Sequence, residues 1–332
     1  MGILDPFDGL PSGEQGLEVK QKLLKGLTPG DVVGDRYQVE RFIGRGGMGM
    51  VYLVHDRKED RNVALKTLLP QYVENENAVK RFVREVELVK RLNHPGIVKI
   101  YEAWRLEDIL MYTMEYIEGK SLRHFMTERK RLGLGSTVRV LSLLCHALEH
   151  AHKVTIHRDL SPENVMVLTD HSIRLLDFGL AKLSNNEGAF TRVGISLGKM
   201  QYMAPEQRAN ATNVDQRADV YSLGVMFYEM LSGQLPKGFQ RVTELAPGLP
   251  PECDALLEKA LAPMADDRMA TAHDFRKELA LIYEQHKKMK GVGATDTGPP
   301  MAAGAPATQS RGIWARLGGL LAYFRNPKAG AR

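Results

Sequence analysis

Cysteine is almost missing from this chain: its 332 residues carry two, Cys145 and Cys253. Each lies in an apolar helical pattern and neither has a paired neighbour, which excludes a disulfide framework and a cysteine-built zinc site and favours a reduced, cytoplasmic setting. Long apolar stretches are also lacking, and no uncharged run approaches the roughly 20 residues of a membrane span. The opening MGILDPFDGLPSGEQ has neither a basic region nor an apolar core of the secretory kind. Pro6 stands where a myristoylation signal beginning at Gly2 needs Ser or Thr. Nor does one sign of charge dominate. The 45 basic and 40 acidic side chains leave +5, spread too evenly to form the footprint of a nucleic-acid binder.

A chain of this length buries a large core, and the length favours two structural units or one large enzyme domain with tails. Residues 1–30 are polar with Gly and Pro, and read as a leader packed loosely on the body. From 31 to 117 short β-branched or aromatic runs, VYLV, NVALK, IVKIY and ILMYTMEY, alternate with turn residues and predict a small sheet with a single helix. From 118 to 290 helical periodicity takes over, with helices over 138–152, 219–231 and 271–288. Residues 291–310, GVGATDTGPPMAAGAPATQS, have too little apolar surface to fold and read as a linker. Beyond it, residues 311–332 place Ile313, Trp314, Leu317, Leu320, Leu321 and Phe324 at helical spacing among Arg and Lys. Such a basic amphipathic tail suits weak contact with an anionic membrane surface or a partner, although Gly318 and Gly319 weaken the helix.

The segment Ile43-Gly44-Arg45-Gly46-Gly47-Met48-Gly49-Met50-Val51 offers glycines in a GxGxxG pattern, whose bare amides can approach phosphate oxygens. The spacing alone is weak, because dinucleotide folds share it. Those folds need a helix straight after the glycines, whereas here strand-like runs continue, so a hairpin covers the phosphates instead. In Val63-Ala64-Leu65-Lys66 the strand period of two puts Ala64 and Lys66 on one face, a small residue that leaves room for a base and a cation for its phosphates. In the following helix, Phe82, Val86, Val89, Leu88 and Leu92 form an apolar arc that includes Glu85. An inward carboxylate requires an inward cation, and Lys66 is the expected partner.

His157-Arg158-Asp159 follows the helix ending in His152, and Asn164 lies in the Pro-containing loop after it. The strand Ile173–Leu176 delivers Asp177-Phe178-Gly179. Asn164 and Asp177 as metal-facing groups, with Asp159 as a free carboxylate, are the parts needed to hold Mg²⁺ on a triphosphate and to accept a hydroxyl proton. The order of these motifs with Ala204-Pro205-Glu206 makes coincidence remote.

On these residues the chain resembles the eukaryotic-like (Hanks-type) protein kinase family, and within it the bacterial Ser/Thr branch, from about Tyr37 to Tyr283. The resemblance implies an α+β, bilobal fold: a small antiparallel N-lobe sheet with one helix over a larger, mostly helical C-lobe. It implies ATP and Mg²⁺ as cofactors, Gly44, Gly46 and Gly49 over the phosphates with Ile43 and Gly47 beside them, and Lys66 on the α and β phosphates, anchored by Glu85. Asp159 becomes the catalytic base, with Asn164 and Asp177 on the metal. Val51, Ala64, Met114, the hinge Glu115-Tyr116-Ile117 and Met166 would line the adenine site. His157 would brace the loop, and Glu206 and Arg268 would form a structural ion pair. The implied partners are protein substrates, with self-association for autophosphorylation. A nucleotide-binding pseudokinase that signals as a scaffold is the alternative, disfavoured because Lys66, Glu85, Asp159, Asn164 and Asp177 are all present.

The chain departs from the family pattern in three places. Ser161 stands two residues after Asp159, where a lysine is usual, and Lys199 stands where the activation segment usually has a threonine. A lysine lost from one strand and gained on the facing one suggests a compensated swap, with Lys199 supplying the cation near Asp159. The segment with Ser184, Thr191 and Ser196 reads as a mobile loop in which a phosphate on Thr191 could pair with Arg158. Between Leu231 and Pro250-Pro251 the chain is shorter than the family's usual helix-bearing connection, which puts substrate docking on that face in doubt.

Overall fold

The structure, a computed structural model, describes residues 21–46, 49–68, 76–106, 109–178, 198–209, 214–238 and 240–289. The anticipated linker at 291–310, the tail at 311–332, Ser184, Thr191 and Ser196 lie outside the described residues.

Six antiparallel strands form the first lobe in the order β1-β2-β3-β4-β6-β5. They are β1 (Val32–Val33), β2 (Tyr37–Gly46), β3 (Gly49–Asp56), β4 (Arg61–Leu68), β5 (Ile100–Leu106) and β6 (Ile109–Glu115). The β3–β4 turn is fixed by Asp56, whose Oδ1 accepts the N–H groups of Lys58 and Glu59. In β3 the alternation sends Tyr52 and Val54 into a core with Val33, Tyr37, Val63, Leu65, Trp104 and Met111. The single long helix of this lobe, α2 (Glu76–Lys90), turns Phe82, Val83, Val86 and Val89 inward and leaves Arg84 in water.

The loose leader expected over 1–30 ends earlier than 30. The helical residues 21–25, labelled α1, and the turn after them place Leu23 and Leu27 in the same core, at 2% and 6% exposure. Leu27 N–H also donates to the Tyr52 hydroxyl at 3.1 Å. Two leucines four residues apart give this short polar stretch one apolar face, enough to close the side of the sheet away from α2.

The strand expected at 97–101 begins three residues later, because Ile97 and Val98 pair elsewhere. Val98 N–H donates to Leu175 O, and Leu175 N–H to Gly96 O, which ties the first lobe to a small second sheet. That sheet, ordered β7-β8-β9, consists of Gly119–Ser121, Val165–Leu168 and Ile173–Leu175.

Helices α3 (Leu122–Arg129), α4 (Leu134–Ala151), α5 (Pro205–Ala209), α6 (Arg217–Ser232), α7 (Val242–Leu245), α8 (Glu252–Ala260) and α9 (Ala272–Met289) build the second lobe. Ser121 caps α3 by accepting the His124 N–H. Helix α6 is buried on nearly every side, from Ala218 through Leu231, and forms the axis of the lobe. It stops at Gly233, whose φ of 79° and close approach to the Lys130 carbonyl admit no side chain. The short connection after Leu231 does hold a helix, but only the one-turn α7. The two-lobed α+β architecture is the one the sequence implies. Among the described residues no helix is long and apolar enough to cross a membrane.

Candidate active site

The loop after α4 is hung from a buried carboxylate. Asp219, in the first turn of α6 and fully shielded from solvent, accepts the N–H of His157 at Oδ2 (2.9 Å) and that of Arg158 at Oδ1 (2.9 Å). His152 Nε2 lies 2.8 Å from the same Oδ2. These bonds hold Arg158 at φ 62°, a left-handed conformation that costs a non-glycine residue about 1 kcal/mol or more. Burial pushes the Asp219 carboxyl up, but His152, His157 and the backbone outweigh it and hold it below the usual carboxylate range.

His157 is fully buried. Its Nδ1 accepts the Asp159 N–H at 3.2 Å, so Nε2 carries the proton and donates to Leu176 O at 2.8 Å. Its ring stacks obliquely on Phe178, 4.7 Å between centroids, and burial pushes its pKa down. A neutral imidazole committed on both nitrogens braces the loop and is not available for proton transfer.

Asp159 is 7% exposed, and its Oδ2 accepts Asn164 Nδ2 at 3.0 Å and Lys199 Nζ at 3.2 Å. Asn164 Nδ2 donates as well to the Asp159 carbonyl, and Asn164 Oδ1 accepts Lys199 Nζ at 3.1 Å. The structure thus brings Lys199, in a 3-10 turn over Lys199–Tyr202, directly onto the loop that carries Ser161. Ser161 is buried, and its hydroxyl makes no hydrogen bond to Asp159 or Asn164, although its carbonyl accepts the Asn164 N–H at 3.0 Å.

The Lys66–Glu85 pair anticipated from the sequence is not formed. Lys66 Nζ lies 2.6 Å from Asp177 Oδ1, and the Glu85 carboxylate instead accepts Thr155 Oγ1 at 3.3 Å. Facing counts find an inward acid on α2 but cannot rank it against a second acid. Asp177, with φ 47°, reaches Lys66 across the cleft. Asp177 Oδ1 also accepts the Tyr112 hydroxyl at 3.0 Å. Burial raises the Asp177 carboxyl, yet Lys66, Lys199 and Tyr112 together hold it below the usual range.

The residues expected around a base lie on β2, β3, β4, β6 and β8 and in the segment after β6. Ala64 is paired in register with Met114, Val51 with Lys66, and Met166 lies on β8 opposite Ser121. Ala64 and Met114 are buried, while Val51, Met166, Glu115 and Ile117 are half-buried and Ile43 is exposed. A Cβ built on Gly44 meets nothing within 4 Å, so the hairpin roof has open space there. Gly49 is required for another reason than phosphate access, since a Cβ there would lie 1.8 Å from the Thr67 carbonyl oxygen. Gly46 ends β2 opposite Gly49, and Gly47 lies outside the described residues.

Sequence reasoning missed the supports. Beside Asp219, Gln207 donates to the Arg158 carbonyl and accepts the Ala204 N–H, fastening the segment before α5 to the loop. Arg123 binds Glu163 of the loop at 2.6 Å and Glu229 of α6 at 2.7 Å, and both Arg123 and Glu229 meet the Tyr202 hydroxyl. Nothing local distinguishes these side chains from surface polar residues. Arg268 does grip Glu206 through two bonds of 2.6 and 2.8 Å, as the sequence suggested.

The donor set suits a hard cation carried on phosphate. Asn164 and Asp177 offer amide and carboxylate oxygens beside a lysine, and the described residues contain no cluster of three or more acidic, His or Cys groups forming a self-sufficient cage. Magnesium is typically held by one or two protein oxygens plus the phosphates themselves, so the residues fit Mg-ATP.

Residues 37–275 match the family model described as protein kinase domain. The chain is 34% identical over 304 residues to the serine/threonine-protein kinase pkn3 of Myxococcus xanthus, a match covering 84% of this chain and 54% of that protein. It is 33% identical to the serine/threonine-protein kinase PknB of Mycolicibacterium smegmatis, over 78% of this chain and 44% of the relative. The chain therefore spans about half the length of the curated relatives it matches. Among solved structures, the Mycobacterium tuberculosis PknI kinase domain is similar at a TM-score of 0.66 and 28% identity, over 77% of this chain and 100% of that one.

Proposed function

The chain belongs to the protein kinase family, in its bacterial Ser/Thr branch, and from that premise we propose that it transfers the γ-phosphoryl group of Mg-ATP to Ser and Thr hydroxyls of proteins, its own activation segment included. The observation that carries this reading is the convergence of Asp159, Asn164 and Lys199 within 3.2 Å of one another, with Asp177 and Lys66 paired in the same cleft.

Asp159 orients the incoming hydroxyl and takes its proton as the oxygen bonds to the γ-phosphorus and the bond to the β–γ bridging oxygen breaks. Lys66 holds the α and β phosphates, and Asn164 and Asp177 hold magnesium. Bound there, magnesium neutralises charge on the phosphate oxygens. Lys199 stands where the γ-phosphate charge spreads during transfer, and supplies the cation that Ser161 cannot.

The test is γ-labelled ATP with Mg²⁺, wild type beside Asp159→Asn, followed by phospho-amino-acid analysis. Label on Ser and Thr that falls at least about a hundredfold in the variant is expected, the scale of a lost general base. Equal labelling would sink the assignment of Asp159. Nucleotide binding without any labelling in the wild type would instead favour a scaffold that holds ATP and does not transfer it.

A further inference from the structure

Tyr112 lies in the middle of β6, fully buried, two residues before Met114 and therefore on the same strand face. It is paired in register with Lys66 on β4. Its ring is 5.8 Å from Lys66 Nζ and 6.2 Å from the ring of Phe82 on α2, and its hydroxyl donates to Asp177 Oδ1 at 3.0 Å. A buried phenol has to place its O–H on an acceptor, and here that acceptor is the carboxylate of Asp177.

Lys66 and Tyr112 both address Oδ1 of Asp177. Two donors on one oxygen fix the carboxylate plane and leave Oδ2 as the oxygen without a hydrogen bond from a described residue. An aspartate held by a single donor would otherwise rotate about its side-chain bonds and present either oxygen. Tyr112 cannot rotate in turn, because its ring is packed between the sheet and Phe82.

We propose that Tyr112 is a positioning residue of the phosphoryl-transfer site: its hydroxyl clamps Asp177 Oδ1 so that Oδ2 is aimed at the metal on the nucleotide. This rests on the metal role given to Asp177 above. It adds a component outside the motif set, and one that reaches from α2 through Phe82 to the metal site.

The experiment is the Mg²⁺ dependence of phosphoryl transfer at fixed, saturating ATP in the full chain, comparing wild type, Tyr112→Phe, Thr113→Val and Asp177→Asn. Thr113 is a buried hydroxyl one position along the same strand and on its other face, so its loss controls for merely removing a buried hydroxyl. Tyr112→Phe is expected to raise the half-saturating Mg²⁺ concentration about three- to tenfold, the scale of one net hydrogen bond with Lys66 still on the same oxygen, with the rate at saturating Mg²⁺ changed less than about twofold. Thr113→Val should leave the Mg²⁺ curve in place. Thermal melts verify that each variant is folded, and Mn²⁺ binding to the chain loaded with a non-hydrolysable ATP analogue, read by electron paramagnetic resonance, gives a measurement independent of turnover, in which Tyr112→Phe should bind Mn²⁺ about three- to tenfold more weakly and Thr113→Val as the wild type does. A wild-type Mg²⁺ curve for Tyr112→Phe, while Asp177→Asn loses metal dependence, overturns the role of Tyr112 alone. An unaltered curve for Asp177→Asn overturns the metal assignment beneath it. A Tyr112→Phe enzyme faster than wild type at every Mg²⁺ concentration also overturns the proposal, since the hydroxyl would then be a restraint on the Lys66–Asp177 pair.

Discussion

Lys199 Nζ lies 3.2 Å from Asp159 Oδ2 and 3.1 Å from Asn164 Oδ1, although 40 and 35 positions of chain separate it from them. A cation in this position is what the proposed swap with the lysine missing at Ser161 requires. The contact is held from both sides: the loop hangs from Asp219, and the segment bearing Lys199 is fastened through Gln207 and Tyr202.

Lys199→Ala is accordingly expected to lower turnover about a hundredfold, in the range seen when one preorganised electrostatic donor is removed from a transition state. The pairing makes a sharper expectation. Lys199→Thr combined with Ser161→Lys restores the family arrangement and should recover part of what Lys199→Thr loses. Steady-state kinetics of the three variants decide it, and a double variant no better than Lys199→Thr alone would show that the two positions are independent.

Thr155 and Glu85 form the second relation to test. While the Thr155 hydroxyl holds the Glu85 carboxylate, Glu85 is not on Lys66. In this family the helix glutamate has to reach the strand lysine for transfer. Thr155→Val should therefore raise the activity of the unphosphorylated protein about two- to fivefold, the equivalent of one modest hydrogen bond. Unchanged activity would mean that the contact does not restrain α2.

The Asp219 carboxyl is held below its usual range, so its contribution to stability is complete above the unfolded-state value of about 3.9 and is lost as pH falls through the lower folded value. Asp219→Asn should cost about 3 kcal/mol near neutral pH, as expected for breaking a buried charged network. The difference from wild type should shrink below about pH 4. Urea melts across that interval measure it, and a gap that stays constant would show that the charge of Asp219 is not what matters.

Arg268, wholly buried at its side chain, has Glu206 as its carboxylate partner. Glu206→Ala leaves that guanidinium with backbone carbonyls alone and is expected to destabilise the fold by about 3 kcal/mol. Activity measured well below the melting temperature should fall far less than in Lys199→Ala, because Glu206 touches none of the reacting groups. Thermal melts paired with kinetics separate the two effects.

How much of this was legible beforehand can be judged residue by residue. Asp159, Asn164, Asp177 and Lys66 are readable because each sits in a short motif whose spacing is set by local backbone geometry. The alternation of β3 and β4 and the inward arc of α2 are readable for the same reason, since helical and strand periods are local properties. Lys199 was suggested by a mismatch against the family pattern, but that its ammonium bridges Asp159 and Asn164 is a fact of folding.

What the linear chain determined on its own is therefore the two-lobed architecture and the list of groups that could do the chemistry, since both depend on patterns a few residues long. The tertiary structure decided the partners: Lys66 with Asp177 in place of Glu85, Glu85 with Thr155, Tyr112 on Asp177, and Asp219 beneath the whole loop. These are contests between charges brought together from distant segments, won by the group that burial and backbone conformation bring closest. No local period encodes their outcome.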